Sequence, residues 1–204
     1  MQDFEFHNPD TLDEALAVMK EHGEDARPIS GGTALVVLMK QSLVYAEHLV
    51  NLRRIPGLSG LTLEDGQLRI GALTTHRELE TSSGVTEHLP FLSEIYRRVA
   101  TVRIRNVATV GGGLAHADPS QDPPPGLITL GASVRLVSVS GDRTVPVEHL
   151  FEDYYETAIK PEEILTELIV PLPSEGSRSV YTKFLPRTVD DYATVGVAVT
   201  ALVD

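Results

Sequence analysis

Two glycine-bearing segments carry the residue types that could do chemistry. In Ser30-Gly31-Gly32-Thr33-Ala34-Leu35, two glycines flanked by two hydroxyl residues stand between an expected strand and an expected helix. Glycine lets a backbone come close to a ligand, and the amides that open a helix attract anions. The same residues also suit a plain strand-to-helix turn capped by Thr33. In Thr109-Val110-Gly111-Gly112-Gly113, three glycines follow one another between apolar Val107, Val110 and Leu114. That run is costly in backbone entropy, and its apolar flanks argue against a free surface loop. Neither segment fits the Rossmann fingerprint or the Walker A pattern. Two separate glycine loops would suit the two phosphates of a dinucleotide lying between subdomains.

Other residue groupings are less specific. His116, Asp118 and Asp122 lack a third ligand at metal-binding spacing, so no metal set is assigned. Asp118 and Asp122 read instead as acceptors for hydroxyls or as caps of local turns. Arg103 and Arg105 fall on one side of a short extended run, either as a solvated pair or facing a ligand or partner. His76 follows Thr74-Thr75, where a capping cluster is expected. Spacing alone assembles no Ser/His/Asp triad or activated nucleophile.

The elements that must position these loops alternate at first. Phe4 and Phe6 mark a short strand, and Thr11-Leu12-Asp13-Glu14 is a capping-box pattern. Leu12, Ala15, Leu16 and Met19 then form one helix face, stopped at Gly23. A strand over residues 26–30, a helix from Thr33 to about Gln41 and a strand over 48–52 complete a β-α-β-α-β unit. Beyond Pro56-Gly57, Asp65-Gly66 between apolar strands predicts a hairpin. Helices are expected over 74–79 and 89–99, and strands over 134–139 and 164–170. A glycine-rich and then proline-rich segment runs over 107–126. The polar stretch 172–179 precedes new strands at 180–184 and 195–203. The expected units are thus residues 1–55, 56–173 and 177–204, the last an incomplete start of a further domain.

Composition excludes several classes. A net charge of −12 argues against nucleic-acid partners, which need clustered cations. With no cysteine, the chain can carry neither disulfides nor a thiolate-ligated iron–sulfur cluster. The longest apolar run, Ala34 to Met39, falls far short of the ~20 residues of a membrane span, so no membrane insertion is expected. The start lacks a secretory signal pattern, and the cytoplasm is the expected location.

The residues themselves carry a resemblance. Gly31-Gly32-Thr33-Ala34-Leu35 resembles the first FAD-pyrophosphate loop of the flavoprotein subunits of molybdenum hydroxylases of the carbon monoxide/xanthine dehydrogenase type. Residues 104–119, Ile-Arg-Asn-Val-Ala-Thr-Val-Gly-Gly-Gly-Leu-Ala-His-Ala-Asp-Pro, resemble their second and more specific loop. Residues 70–76, 155–159, 163–168 and 191–194 are similar to further landmarks, in the family's order. The resemblance implies an α+β fold, with two α/β lobes and FAD in the cleft between them. It also implies a large molybdopterin-binding subunit and a small [2Fe–2S] subunit as partners, with electrons passing through this chain to an external acceptor.

Carried over by position, Gly31, Gly32, Thr33, Ala34 and Leu35 would hold one side of the pyrophosphate, and Thr109, Gly111, Gly112 and Gly113 the other. Asp118 falls within the second motif, Asp122 matches an acidic residue placed on flavin hydroxyls, Leu168 an apolar contact to the isoalloxazine, and Tyr192 an aromatic over a ring face. No catalytic residue and no metal ligand is carried over. Two positions depart from the family: Gly113 replaces a frequent polar residue, and Leu185 a frequent lysine. Members usually continue for a further lobe, so this chain reads as shortened at its C-terminus. A stand-alone flavin oxidoreductase and a non-enzymatic remnant are the alternatives.

Overall fold

The computed structural model describes residues 3–185, 188 and 191–202. Its first unit is a three-stranded parallel sheet of β1 (Glu5–His7), β2 (Ala26–Ile29) and β3 (His48–Asn51), in the order β1-β3-β2. Between the strands run α1 (Leu12–His22) and α2 (Leu35–Lys40). The Thr11 hydroxyl accepts from the Glu14 amide, 3.2 Å away, but Glu14 returns its carboxylate to the Asp10 amide at 2.8 Å. The expected reciprocal box at Thr11 is therefore displaced by one residue. Ala15, Leu16 and Met19 are buried against Val50, the face set by their helical spacing. On the opposite sheet face Met39 packs with Leu49 and Ala46.

The second unit is an antiparallel sheet in the order β4-β5-β10-β6-β7. Its strands are β4 (Leu61–Glu64), β5 (Gln67–Gly71), β6 (Ser133–Ser138), β7 (Gly141–Pro146) and β10 (Ile164–Pro171). Asp65 and Gly66 turn β4 into β5 with φ of 50° and 71°, the conformation that Asp-Gly favours. A small hairpin of β8 (Phe151–Asp153) and β9 (Glu156–Thr157) precedes β10. The sequence pattern did not anticipate β7, β8 or β9.

Helices α3 (His76–Thr81), α4 (Ser83–His88), α5 (Pro90–Arg97), α6 (Val102–Arg105), α7 (Val110–His116) and α8 (Pro123–Thr129) connect β5 to β6. Leu79, Phe91, Leu92, Ile95, Leu114 and Leu127 join Ile70, Val134, Leu136 and Leu168 of the sheet in the largest core. Two expectations are corrected here. Arg103 and Arg105 lie on a helical turn rather than an extended run, and Arg105 is buried. The 107–126 segment is two helices: Thr109 caps the glycine helix, and Pro123 starts the other at the position where a missing N–H costs nothing.

The last unit, β11 (Ser177–Phe184) and β12 (Val195–Leu202), forms an antiparallel hairpin. It is tied to the second unit through Tyr181 and Lys183, both of which reach Asp122. Among the described residues, no helix is long and apolar enough to cross a membrane.

Candidate functional site

The two glycine segments meet. Ser30, just past β2, places its hydroxyl 2.8 Å from the hydroxyl of Thr109. Thr109 is the N-cap of α7, and its oxygen also accepts from the Gly112 amide at 3.2 Å. Backbone bonds hold the second segment along the strap after β5: His76 N to Ala108 O, Val110 N to Thr74 O and Gly111 N to Ala72 O, at 3.0, 3.0 and 2.8 Å.

Close approach explains the glycines. A Cβ at Gly31 would overlap the Val107 carbonyl oxygen. One at Gly111 would come within 2.6 Å of the Ala72 Cβ, and one at Gly112 within 2.9 Å of Thr109 Oγ1 and 3.1 Å of Ser30 Oγ. Gly113 is less constrained, its Cβ position lying 3.4 Å from both Gln121 Oε1 and His76 Nε2.

The two segments differ in what they offer a ligand. Among the described residues, the amides of Gly31, Gly32, Thr33, Ala34 and Leu35 donate to no protein acceptor, and all five residues are half-buried. Gly32 has φ of 68°, the left-handed conformation that anion-binding nests of successive amides use. In the second segment Gly111, Gly112 and Gly113 give their amides to Ala72 O, Thr109 Oγ1 and Thr109 O. Those glycines therefore supply room and a rigid wall, and the free donors lie on the first loop.

His76 was not among the expected site residues, yet it is buried beneath the second loop. Its Nε2 lies 3.1 Å from the Thr109 carbonyl oxygen, to which it donates as the neutral ring, while Nδ1 has no partner among the described residues. Burial, helped by the nearby Arg105 guanidinium, pushes its pKa down to about 4, against the pull of the Thr109 carbonyl. Thr75 and Glu78 form the reciprocal box that caps this helix. Gln121 is a second addition, its Nε2 donating to Gly113 O at 2.9 Å.

The remaining expected residues divide. Asp118 is buried and faces two phenols. Its charge, then burial, raises the Tyr155 pKa, while burial and then Asp118 raise that of Tyr192. His116 packs at a ring-centroid distance of 5.3 Å from Tyr155 and is pushed down by burial, against the pull of Asp118. Tyr192 is exposed, so its ring is available to a ligand.

Asp122 is turned elsewhere. It accepts from Tyr181 Oη at 2.6 Å and Lys183 Nζ at 2.9 Å, in a buried pair whose side chains are 5% and 2% exposed. Leu185, where the resemblance expects a lysine, is half-buried after β11. Leu168 is completely buried in the main core and has no surface to lay against a flavin ring. Leu168 faces the core together with Val170, as the in-out alternation of this part of β10 sets.

A parallel lobe and an antiparallel lobe joined through interlocking glycine loops, with free amides on one of them, define an α+β protein with a candidate anion site. The chain belongs to the family described as "FAD binding domain in molybdopterin dehydrogenase", whose model matches residues 2–173. It is 39% identical over 196 residues to the carbon monoxide dehydrogenase medium chain of Afipia carboxidovorans, covering 96% of this chain and 68% of that one. To the 6-hydroxypseudooxynicotine dehydrogenase complex subunit alpha of Paenarthrobacter nicotinovorans it is 36% identical over 195 residues, covering 96% and 66%. The structure of the reconstituted CO dehydrogenase from Oligotropha carboxidovorans superposes with a TM-score of 0.96 at 37% identity, over 100% of this chain and 71% of that one. Membership of this family makes the chain an oxidoreductase subunit of the FAD-binding class.

Proposed function

We propose that the chain binds FAD and relays electrons from [2Fe–2S] clusters on a small partner subunit to an external acceptor, while a large molybdopterin subunit oxidises the organic substrate. The observation that carries the FAD reading is the run of free amides from Gly31 to Leu35, held at the second loop by Gly31 against Val107 and Ala108 and by Ser30 beside Gly112. Fixed amide dipoles need no reorganisation to receive a diphosphate, which is what makes such a nest an anion site. A bound flavin would supply a carrier able to take electrons singly and give them up in pairs. Tyr192 is a candidate cover for the ring. Asp118 sits in the same cluster, whereas Asp122 and Leu168 serve the protein's own packing.

The relay assignment is supported by the kinship with a carbon monoxide dehydrogenase medium chain. It is consistent with a sequence that contains no cysteine to hold a cluster of its own. The test is the visible absorption spectrum of the purified chain, with thermal melts at rising FAD. Flavin bands are expected, and FAD at 100-fold over its dissociation constant should add about 2.7 kcal/mol to stability. A colourless protein whose melt ignores FAD overturns the assignment. Pull-down of molybdopterin and iron–sulfur subunits from the native host tests the relay.

A further inference from the structure

The small parallel lobe brings three histidines together at a place the glycine loops do not reach. His7 ends β1, His22 ends α1 and His48 opens β3. His48 pairs with Ala26, at the end of β2 opposite to Ser30 and Gly31. The parallel register sets Glu5 beside His48 and His7 beside Val50, so Glu5, His7 and His48 share the sheet face that α1 covers. The last turn of α1 then delivers His22 to the same spot.

One ring nitrogen of each histidine lies within 4.8 Å of the other two. His7 Nε2 and His48 Nδ1 are 3.0 Å apart, and the Glu5 carboxylate lies 3.9 Å from the first and 3.6 Å from the second. The rings of His22 and His48 are stacked with centroids 3.6 Å apart. All three histidines are half-buried, while Glu5 is exposed and free to swing.

We propose that His7, His22 and His48 bind a divalent first-row transition metal, with Zn2+ as the physiological class of ion and Glu5 as the fourth ligand. Zinc–nitrogen bonds of about 2.0–2.1 Å in a tetrahedron separate ligand atoms by about 3.3 Å, close to the spacing of the His7 and His48 nitrogens. His22 must turn about its side-chain bonds to open the stack and aim a nitrogen at the ion. Its position at a helix end leaves room for that. The three ligands come from three elements, so an ion here pins β1, α1 and β3 to one another. The sequence showed none of this, because the histidines are separated by 15 and 26 residues and follow no metal-binding spacing.

The experiment uses the full chain, made without a histidine tag, stripped with chelator and titrated with zinc chloride by calorimetry. One zinc per chain is expected, with a rise in melting temperature. His22→Ala should weaken uptake by more than about tenfold, and the His7→Gln/His48→Gln double variant should abolish it. His149→Ala, at a side chain 72% exposed and outside the cluster, should bind as the parent does. Absence of stoichiometric uptake, or uptake by His22→Ala equal to the parent, overturns the proposal. His22→Ala decides the matter even if the double variant fails to fold. Flavin absorbance is read in parallel, so that loss of zinc with FAD retained separates this site from the glycine loops.

Discussion

The hydroxyls of Ser30 and Thr109 form a 2.8 Å hydrogen bond between loops 79 residues apart. The two ends of that bond are not equivalent. Thr109 also caps α7 through the Gly112 amide, whereas Ser30 makes no second side-chain bond among the described residues. Ser30→Ala should therefore cost about 0.5–1 kcal/mol, the net worth of one part-buried hydrogen bond. Thr109→Val keeps the shape but loses bond and cap together, for about 1–2 kcal/mol. Chemical denaturation of both variants and of the double variant gives the coupling, and equal losses in the two singles would contradict the assignment. FAD affinity should fall in both, because the loops lose their alignment.

His76 makes stability depend on pH. Its ring stays neutral in the fold down to a pKa of about 4, while in the unfolded chain it takes a proton near the ordinary value of 6.5. The folded pKa is the depressed one, so the stabilisation is fully present above pH 6.5 and is lost as pH falls through the interval to about 4. A shift of that size corresponds to about 3 kcal/mol. His76→Gln can still donate to the Thr109 carbonyl but does not titrate. Denaturant midpoints measured across this interval should slope steeply in the parent and markedly less in the variant. Parallel slopes would assign the acid sensitivity to other groups.

Arg105 ties α6 to α3 and to the turn that follows α5. Its Nε donates to Glu80 at 2.9 Å and its Nη1 to the carbonyls of Val99 and Ala100 at 2.9 and 2.6 Å. Burial pushes the Glu80 carboxyl up, but Arg77 and Arg105 together outweigh it and hold the pKa below the usual range. Arg105→Met leaves Glu80 with the half-exposed Arg77 alone and two carbonyls unpaired. The expected loss is about 3 kcal/mol, as for other broken buried pairs. A melt within a degree of the parent would refute this.

The Asp122–Lys183 pair offers a test of how the last hairpin is held. Lys183→Met strands a buried carboxylate and should destabilise by about 3–5 kcal/mol. Lys183→Met with Asp122→Leu removes both charges and should recover much of that loss, leaving Tyr181 as the group without its acceptor. Hydrogen exchange localises the effect: amides of β11 and β12 should open first in the single variant, and uniform loosening of the chain would count against the pair as an anchor.

Local pattern revealed most of the regular elements. The α1 face of Ala15, Leu16 and Met19, the Asp65-Gly66 hairpin and the apolar row of α5 are each decided by neighbours in sequence. The 107–126 segment misled because glycine and proline disfavour helix in isolation. Its helices are fixed instead by distant partners: Gly111 against Ala72 and Gly126 under Ile95. The same applies to the site. Its two loops were legible from composition, but which one carries free amides depends on the strap from Ala72 to His76. The resemblance puts Leu168 at the flavin, whereas β10 seats it, with Val170, on the core face.

Two glycine-to-alanine changes separate room from conformation. At Gly31 the added methyl would overlap a backbone carbonyl, which cannot move away as a flexible side chain could. Gly31→Ala should drive the loops apart, cost upwards of about 1 kcal/mol as overpacking does, and remove measurable FAD binding. At Gly113 the nearest atoms are side-chain ends at 3.4 Å, and the residue lies inside α7 with no unusual backbone angle. Alanine there restricts the unfolded chain and favours helix, so Gly113→Ala should stabilise by about 0.5–1 kcal/mol. Thermal melts with and without FAD read both effects. If Gly113→Ala melts lower than the parent, then Gln121 and His76 have no slack, and the wall of the site is packed as tightly at its third glycine as at its first.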